Sequence, residues 1–170
     1  FNNNINSIDL QKKIRDVYST TDTFCALLYD GSIKLWGNVD EMNRNGLSEN
    51  LSEFQGKVVD IVTTDYAYCA LLRNASVKVW GNSSKGGTLN RGFSEKDLFG
   101  QVSKVFSTGS AFCALLRNGA VKVWGSCRLS RQFSNKILPG NVSTVCSTSS
   151  TFCALLKDGS AVVWGNKGLN

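Results

Sequence analysis

The chain has 170 residues, 42% of them hydrophobic and 19% charged, with a formal net charge of +6, a balance that fits a folded globular protein and argues against disorder. No apolar run reaches the roughly 18 residues needed to span a bilayer, and the opening FNNNINSIDLQKK lacks the basic-then-apolar order of a signal peptide. Acids are mixed among the bases, as at Ser94-Glu95-Lys96-Asp97, so nucleic acid is not the expected partner.

One phrase is written four times, at residues 24–37, 68–81, 112–125 and 152–165: an aromatic residue, Cys-Ala-Leu-Leu, a tight turn and a short run ending in Trp-Gly. Trp36, Trp80, Trp124 and Trp164 are 44, 44 and 40 residues apart, and Cys25, Cys69, Cys113 and Cys153 keep the same spacing. Two independent markers thus set one period, the signature of a repeat array. Units are expected at about 12–55, 56–99, 100–139 and 140–170, in a single domain. The chain reads as a portion of a longer one.

Each unit opens on a run of β-branched and aromatic residues, clearest at 57–62 and 101–106, which predicts a strand. Ser19-Thr20, Thr63-Thr64, Ser107-Thr108 and Ser147-Thr148 follow. Their hydroxyls can bond nearby backbone groups and end a ladder. The second strand, Phe24-Cys25-Ala26-Leu27-Leu28 and its copies, has no polar face, so both sides should be covered by neighbouring sheets. Asp30-Gly31, Asn118-Gly119 and Asp158-Gly159 predict a two-residue hairpin turn. The second unit has Asn74-Ala75 there, and alanine is costly at a left-handed position. In the third strand, alternation sends Ile33 and Leu35 to one side and Lys34 and Trp36 to the other.

Between units lie variable linkers at 38–55, 82–99 and 126–139. They share an Arg, then a large apolar residue and a Ser, and are expected to carry an outermost strand or a helical turn. Three to four antiparallel strands per unit, buried on both faces, describe a propeller blade. The fold class expected is therefore all-β: a propeller-like array of four blades, part of a larger or partner-completed propeller. A β-solenoid is the structural alternative.

Four cysteines occupy one repeated position and read as buried free thiols. Cys146 shares a column with Tyr18, Val62 and Phe106 and reads as core, whereas Cys127, in a polar loop, reads as accessible. With no CxxC pair and no histidine, a metal site is not expected. Unpaired thiols fit a reducing compartment. The four sequons at Asn50, Asn74, Asn82 and Asn141 do not establish secretion in a chain this rich in Asn and Ser.

The pattern Ala-Leu-Leu-x-Asp-Gly-Ser-x-x-x-Trp-Gly, best seen at 26–37 and 154–165, resembles the repeat of the regulator of chromosome condensation family. The resemblance runs through all four units, and Asn43-Arg44-Asn45-Gly46-Leu47 is a faded form of the family's post-Trp motif. It implies a propeller, seven-bladed with four-stranded blades in family members. Two features depart from the pattern: the family's Gly-x-x-His before the Ala-Leu strand is absent, and four units fall short of seven.

No histidine, GxSxG, P-loop, dinucleotide fingerprint or carboxylate pair suggests catalysis, so no enzyme activity and no cofactor are expected. The tryptophan column invites a sugar-binding reading, but one Trp per unit beside a turn Gly is better read as blade packing. Two basic columns repeat: Lys34, Lys78 and Lys122 on the third strand, and Arg73, Arg117 and Lys157 at the turn, broken by Val162 and Tyr29 respectively. They could sum to a basic crown or simply be solvated edge charges. Three functions follow. The first is a non-enzymatic protein-interaction or scaffold module, an accessory subunit of a larger complex, contacting its partner through Arg44, Leu47, Arg91, Phe93, Arg131 and Phe133; it would meet a membrane only through partners. The second, by family analogy alone, is a guanine-nucleotide exchange or chromatin-binding regulator. The third is a sugar or small-molecule binder at the central axis.

Overall fold

The computed structural model describes residues 13–38, 54–89, 94–126 and 140–165. These residues form four three-stranded antiparallel sheets, each built from strands consecutive in sequence. The first blade contains β1 (Ile14–Ser19), β2 (Thr23–Leu28) and β3 (Ile33–Gly37); the second, β4 (Val58–Thr63), β5 (Ala67–Leu72) and β6 (Val77–Gly81). The third contains β7 (Val102–Ser107), β8 (Ala111–Leu116) and β9 (Val121–Gly125), and the fourth β10 (Val142–Ser147), β11 (Thr151–Leu156) and β12 (Ala161–Gly165). Each sheet resembles a propeller blade, and none closes on itself into a barrel. Every described blade has three strands. The second linker supplies a helical turn, α1 (Glu95–Leu98), and a short 3-10 turn at Ser83–Lys85.

Threonine hydroxyls shape the first hairpin of each blade. Thr20, Thr64, Thr108 and Thr148 each donate a backbone N–H across the turn at 2.9 Å, and the Thr108 and Thr148 hydroxyls accept the returning N–H of Ala111 and Thr151 at 3.1 Å. The second hairpin differs from the two-residue turn expected. Gly31 donates its N–H to Leu28 and Leu28 donates to Ser32, both at 2.9 Å, enclosing the three-residue loop Tyr29-Asp30-Gly31. Two-residue type I′ turns need positive φ at both central residues, and here only the last loop residue has it, at +82° for Gly31 and +80° for Gly119. The aspartate has another task. Its Oδ1 accepts from the Ser32 N–H at 2.8 Å and the Ser32 hydroxyl at 2.6 Å, and Asn74, Asn118 and Asp158 repeat the N–H bond. This side-chain turn is why Asp or Asn is required. Ala75 keeps the same turn at φ +58°, so the second blade holds a left-handed alanine rather than changing turn type.

Adjacent blades are joined by repeated seams. Thr21 donates its backbone N–H to Asp65, Asp65 to Gly109 and Gly109 to Ser149, at 2.8, 3.1 and 2.9 Å. At the other hairpin, Val58 donates to Gly31, Val102 to Ala75 and Val142 to Gly119, at 3.0, 2.9 and 3.0 Å. Between these bonds lies the core. One face of the third blade, with Cys113, Leu115, Val121 and Val123, packs on the opposite face of the fourth, with Val142, Val145, Phe152 and Trp164. The same residue columns build the two earlier seams. Each fully buried Val, Leu or Phe there contributes about 1.5–3 kcal/mol. Cross-strand ring contacts recur on the receiving face, with centroids 5.2 Å apart for stacked Tyr68 and Trp80, 5.5 Å for tilted Phe112 and Trp124, and 5.7 Å for stacked Phe152 and Trp164.

Among the described residues, two dissimilar blade faces are left uncovered. On the first blade the receiving face is uncovered: Phe24 is 45% exposed where Tyr68, Phe112 and Phe152 are fully buried, and Val17 is 54% exposed where Ile61, Val105 and Val145 are buried. On the fourth blade the opposite face is uncovered, with Leu155 at 43% and Val163 at 62% where Leu115 and Val123 are buried. This corrects the reading of Cys146 as core. It is exposed because its column packs against the next blade, as Tyr18 and Val62 do, and the fourth blade has no following blade among the described residues.

Candidate functional site

The repeat places the two basic columns differently. Lys34, Lys78 and Lys122 are paired across the ladder with Ala26, Ala70 and Ala114, on the strand face that also carries the tryptophans. Lys34 is exposed, while Lys78 and Lys122 are half-buried. The Lys78 Nζ donates to both carboxylate oxygens of Glu95, at 3.0 and 3.2 Å. Lys122 contributes to lowering the Asp97 pKa, a smaller effect than the hydrogen bonds that Asp97 accepts from the Ser94 N–H and hydroxyl. The acids of α1 therefore answer two lysines of the strand column. Sequence reasoning missed this pairing, although Ser94 followed by Asp97 is close to a capping-box signature.

The turn column is more uniform. Arg73, Arg117 and Lys157 are exposed, as is Tyr29 at the same position in the first blade. Their backbones are tied down: Tyr29 donates its N–H to Lys13 at 3.0 Å, and Arg73, Arg117 and Lys157 donate to Lys57, Gln101 and Asn141 at 2.8 Å. The Arg73 Nε also donates to the Gly56 carbonyl at 2.9 Å. The following residue of each loop is the side-chain turn already described. One aromatic and three cations thus project from a fixed backbone at one register, once per blade.

The linker contacts Arg44, Leu47, Arg91, Phe93, Arg131 and Phe133, and the loop thiol Cys127, lie outside the described residues. Of the linker residues that are described, the large apolar Phe54 and Leu98 are buried and belong to the cores of the first and second seams. They are core, a role the divergence of the linkers concealed.

The repeated cysteines behave as core groups. Cys25, Cys69 and Cys113 are free and buried, and burial pushes their thiols up, Cys25 to about 12. Cys153 is half-buried. Tryptophan serves packing: the Trp124 Nε1 donates to the Gly86 carbonyl at 3.1 Å, and Trp80 and Trp164 are buried within seams. Among the described residues no group of three or more His, Cys, Asp or Glu is placed to hold a metal ion. No described helix is long and apolar enough to cross a membrane.

These features define an open array of propeller-like blades. The fold is similar to Prp20p from Saccharomyces cerevisiae (TM-score 0.60, 19% identity, 90% of this chain and 44% of that one). It is also similar to the ectodomain of the receptor kinase CR4 from Physcomitrella patens (TM-score 0.58, 16% identity, 90% of this chain and 39% of that one). Human WBSCR16 is a third such structure (TM-score 0.58, 18% identity, 89% of this chain and 47% of that one). The chain spans less than half the length of each. No family model matches it, and no curated protein matches it in sequence. At these identities the likeness is one of fold.

Proposed function

We propose that this chain is a non-enzymatic protein-interaction module that binds an acidic protein surface through its turn row and serves as an accessory part of a larger assembly. The observation that carries this reading is the row Tyr29, Arg73, Arg117 and Lys157, whose backbones are each anchored by a 2.8–3.0 Å hydrogen bond while the side chains face solvent. Pre-organised loops bind without the entropic cost of ordering, and like charges held in line attract an anionic partner over roughly a Debye length, ~8 Å at physiological salt. The repeated sheets supply rigidity, and the differing side chains supply choice of partner.

A second reading, a regulator of the exchange or chromatin-binding type, draws on the fold likeness to Prp20p, a protein described for its binding to Gsp1p and histones. Affinity capture of the tagged full-length protein from its native cells, followed by mass spectrometry, tests both. An acidic partner retained by the wild type and lost with R73E/R117E supports the turn row. Recovery of a small GTPase or histone as the main partner favours the regulator, and a partner set unchanged by the charge reversal overturns the turn row.

A further inference from the structure

The second and third blades are entered through the same tight turn. Before the third blade, the Leu98 carbonyl accepts the Gln101 N–H at 3.3 Å. Phe99 between them has φ −64° and ψ 122°, and Gly100 has φ +71°. These are the dihedrals of a type II turn, which calls for glycine at its third residue. Before the second blade, the Lys57 N–H donates to the Phe54 carbonyl at 3.0 Å, and Gly56 has the same φ of +71°. In both copies the first residue of the turn is core, Phe54 in one and Leu98 in the other. The second residue is exposed in both and differs: it is Gln55 in one turn and Phe99, 65% exposed, in the other. A glutamine serves the turn equally well, so nothing in the fold calls for an aromatic ring at Phe99.

A single exposed apolar residue is ordinary on a protein surface, and what distinguishes this one is its neighbourhood. On one side, a Cβ built on Gly100 would stand 3.9 Å from the Asn74 carbonyl oxygen, and the Val102 N–H donates to Ala75 at 2.9 Å. On the other, the Gln101 carbonyl accepts the Arg117 N–H at 2.8 Å. Phe99 therefore lies on the rim between the Arg73-Asn74 turn of the second blade and the Arg117-Asn118 turn of the third, next to Leu98 in the core of the seam that joins them. Charge is arranged around the same point. The turns of the first and fourth blades carry Asp30 and Asp158, whereas those of the second and third carry Asn74 and Asn118, so Arg73 and Arg117 meet no acid within their own loops. Exposed Lys57, whose carbonyl accepts the Arg73 N–H at 2.8 Å, adds a third cation. The acids that precede Phe99 are engaged elsewhere: Glu95 by the Lys78 Nζ at 3.0 Å, and Asp97 by the Ser94 N–H and hydroxyl at 2.6 and 3.1 Å.

We propose that Phe99, flanked by Arg73 and Arg117, is the apolar anchor of this face, and that it selects an acidic segment of a partner protein that carries a large apolar side chain among its carboxylates. The inference rests on the turn row as the binding face and adds what that row reads. Each guanidinium can hold a carboxylate through two parallel hydrogen bonds, whereas the ring offers contact area at the entropic cost of only two torsions. Covering the ring also excludes water beside the ion pairs, and their attraction strengthens as the local dielectric falls. Aromatic residues and arginine together are the composition of interface hot spots.

Fluorescence anisotropy on the full-length protein tests this with two labelled peptides of mixed Asp and Glu, one with a leucine at its centre and the other with a serine there. Phe99→Gln copies the residue of the preceding turn, so its circular dichroism and urea midpoint should match the wild type. The wild type should bind the leucine peptide on the order of tenfold more tightly than the serine peptide. Phe99→Gln should lose that preference and bind both peptides as the wild type binds the serine one, whereas Phe99→Leu should keep most of it. R73E/R117E should weaken the binding of both. Equal binding of the two peptides by the wild type, or a leucine preference that survives Phe99→Gln, overturns the role of Phe99 and leaves the turn row standing. Binding that R73E/R117E does not change, or a wild type that binds neither peptide, overturns the turn row and this inference with it.

Discussion

Gly119 and Gly159 occupy the same turn position with nearly the same backbone, φ +80° and +84°, and differ in what lies beyond them. Replacing either with alanine imposes the left-handed cost of about 1–2 kcal/mol, offset by about 0.4–1 kcal/mol from the reduced freedom of the unfolded chain. For Gly159→Ala little else changes, because the new methyl meets open space, so the net loss should be about 1 kcal/mol. For Gly119→Ala the Cβ would lie 2.6 Å from the Gly140 carbonyl oxygen and 2.8 Å from its carbon. Both are backbone atoms, so the fourth blade must shift, straining the 3.0 Å bond from Val142 to Gly119. Overpacking of this kind costs about 1–3 kcal/mol, which brings the total to about 2–4 kcal/mol. Equilibrium urea unfolding followed by tryptophan fluorescence reads the difference, measured under conditions where both proteins are monomeric. If the two variants lose the same stability, the seam is not packed as described, and the distinction between an inner and an end blade fails.

Thiol labelling should follow position in the array rather than position in the repeat. Among the described cysteines, a maleimide at pH 7 should modify Cys146 in seconds to minutes and Cys153 more slowly, leaving Cys25, Cys69 and Cys113 protected until unfolding; peptide mass mapping reads this, and rapid labelling of Cys69 would contradict the seam. The turn aspartates should titrate low. The Ser32 hydroxyl and N–H hold Asp30 below the ordinary carboxylate range, as those of Ser160 do for Asp158. A depressed folded value stabilises above the unfolded pKa of ~3.9 and is lost as pH falls through the folded value. The first and fourth turns should therefore weaken only in acid below about pH 4, and carboxyl carbon NMR shifts of S32A should show Asp30 returning toward its ordinary range.

Much of the fold was legible because each unit repeats its own local chemistry. The unbroken apolar strand at 24–28 announced burial on both faces, and in the two inner blades its copies at 68–72 and 112–116 are covered on both sides. The Thr and Asp-Gly positions were readable as turns, since their side chains act within three residues. The site was less legible. The glutamate that meets Lys78 lies 17 residues away, in a linker where the copies disagree, and the anchoring of the turn row depends on hydrogen bonds to the start of the first strand in each blade. The turn type also escaped, because Asp-Gly permits more than one loop and only the strand register chooses among them.

Sequence alone determined the period, the strands, the buried columns and the residues that make each turn, all properties of one unit read in isolation. Tertiary structure decided which blade covers which face. Identical columns therefore meet opposite fates: Phe152 is buried and Phe24 open, Val123 sealed and Val163 exposed. The physical reason is that burial belongs to a pair of neighbouring blades, so a column that reads as interior is covered only where the described residues supply its neighbour.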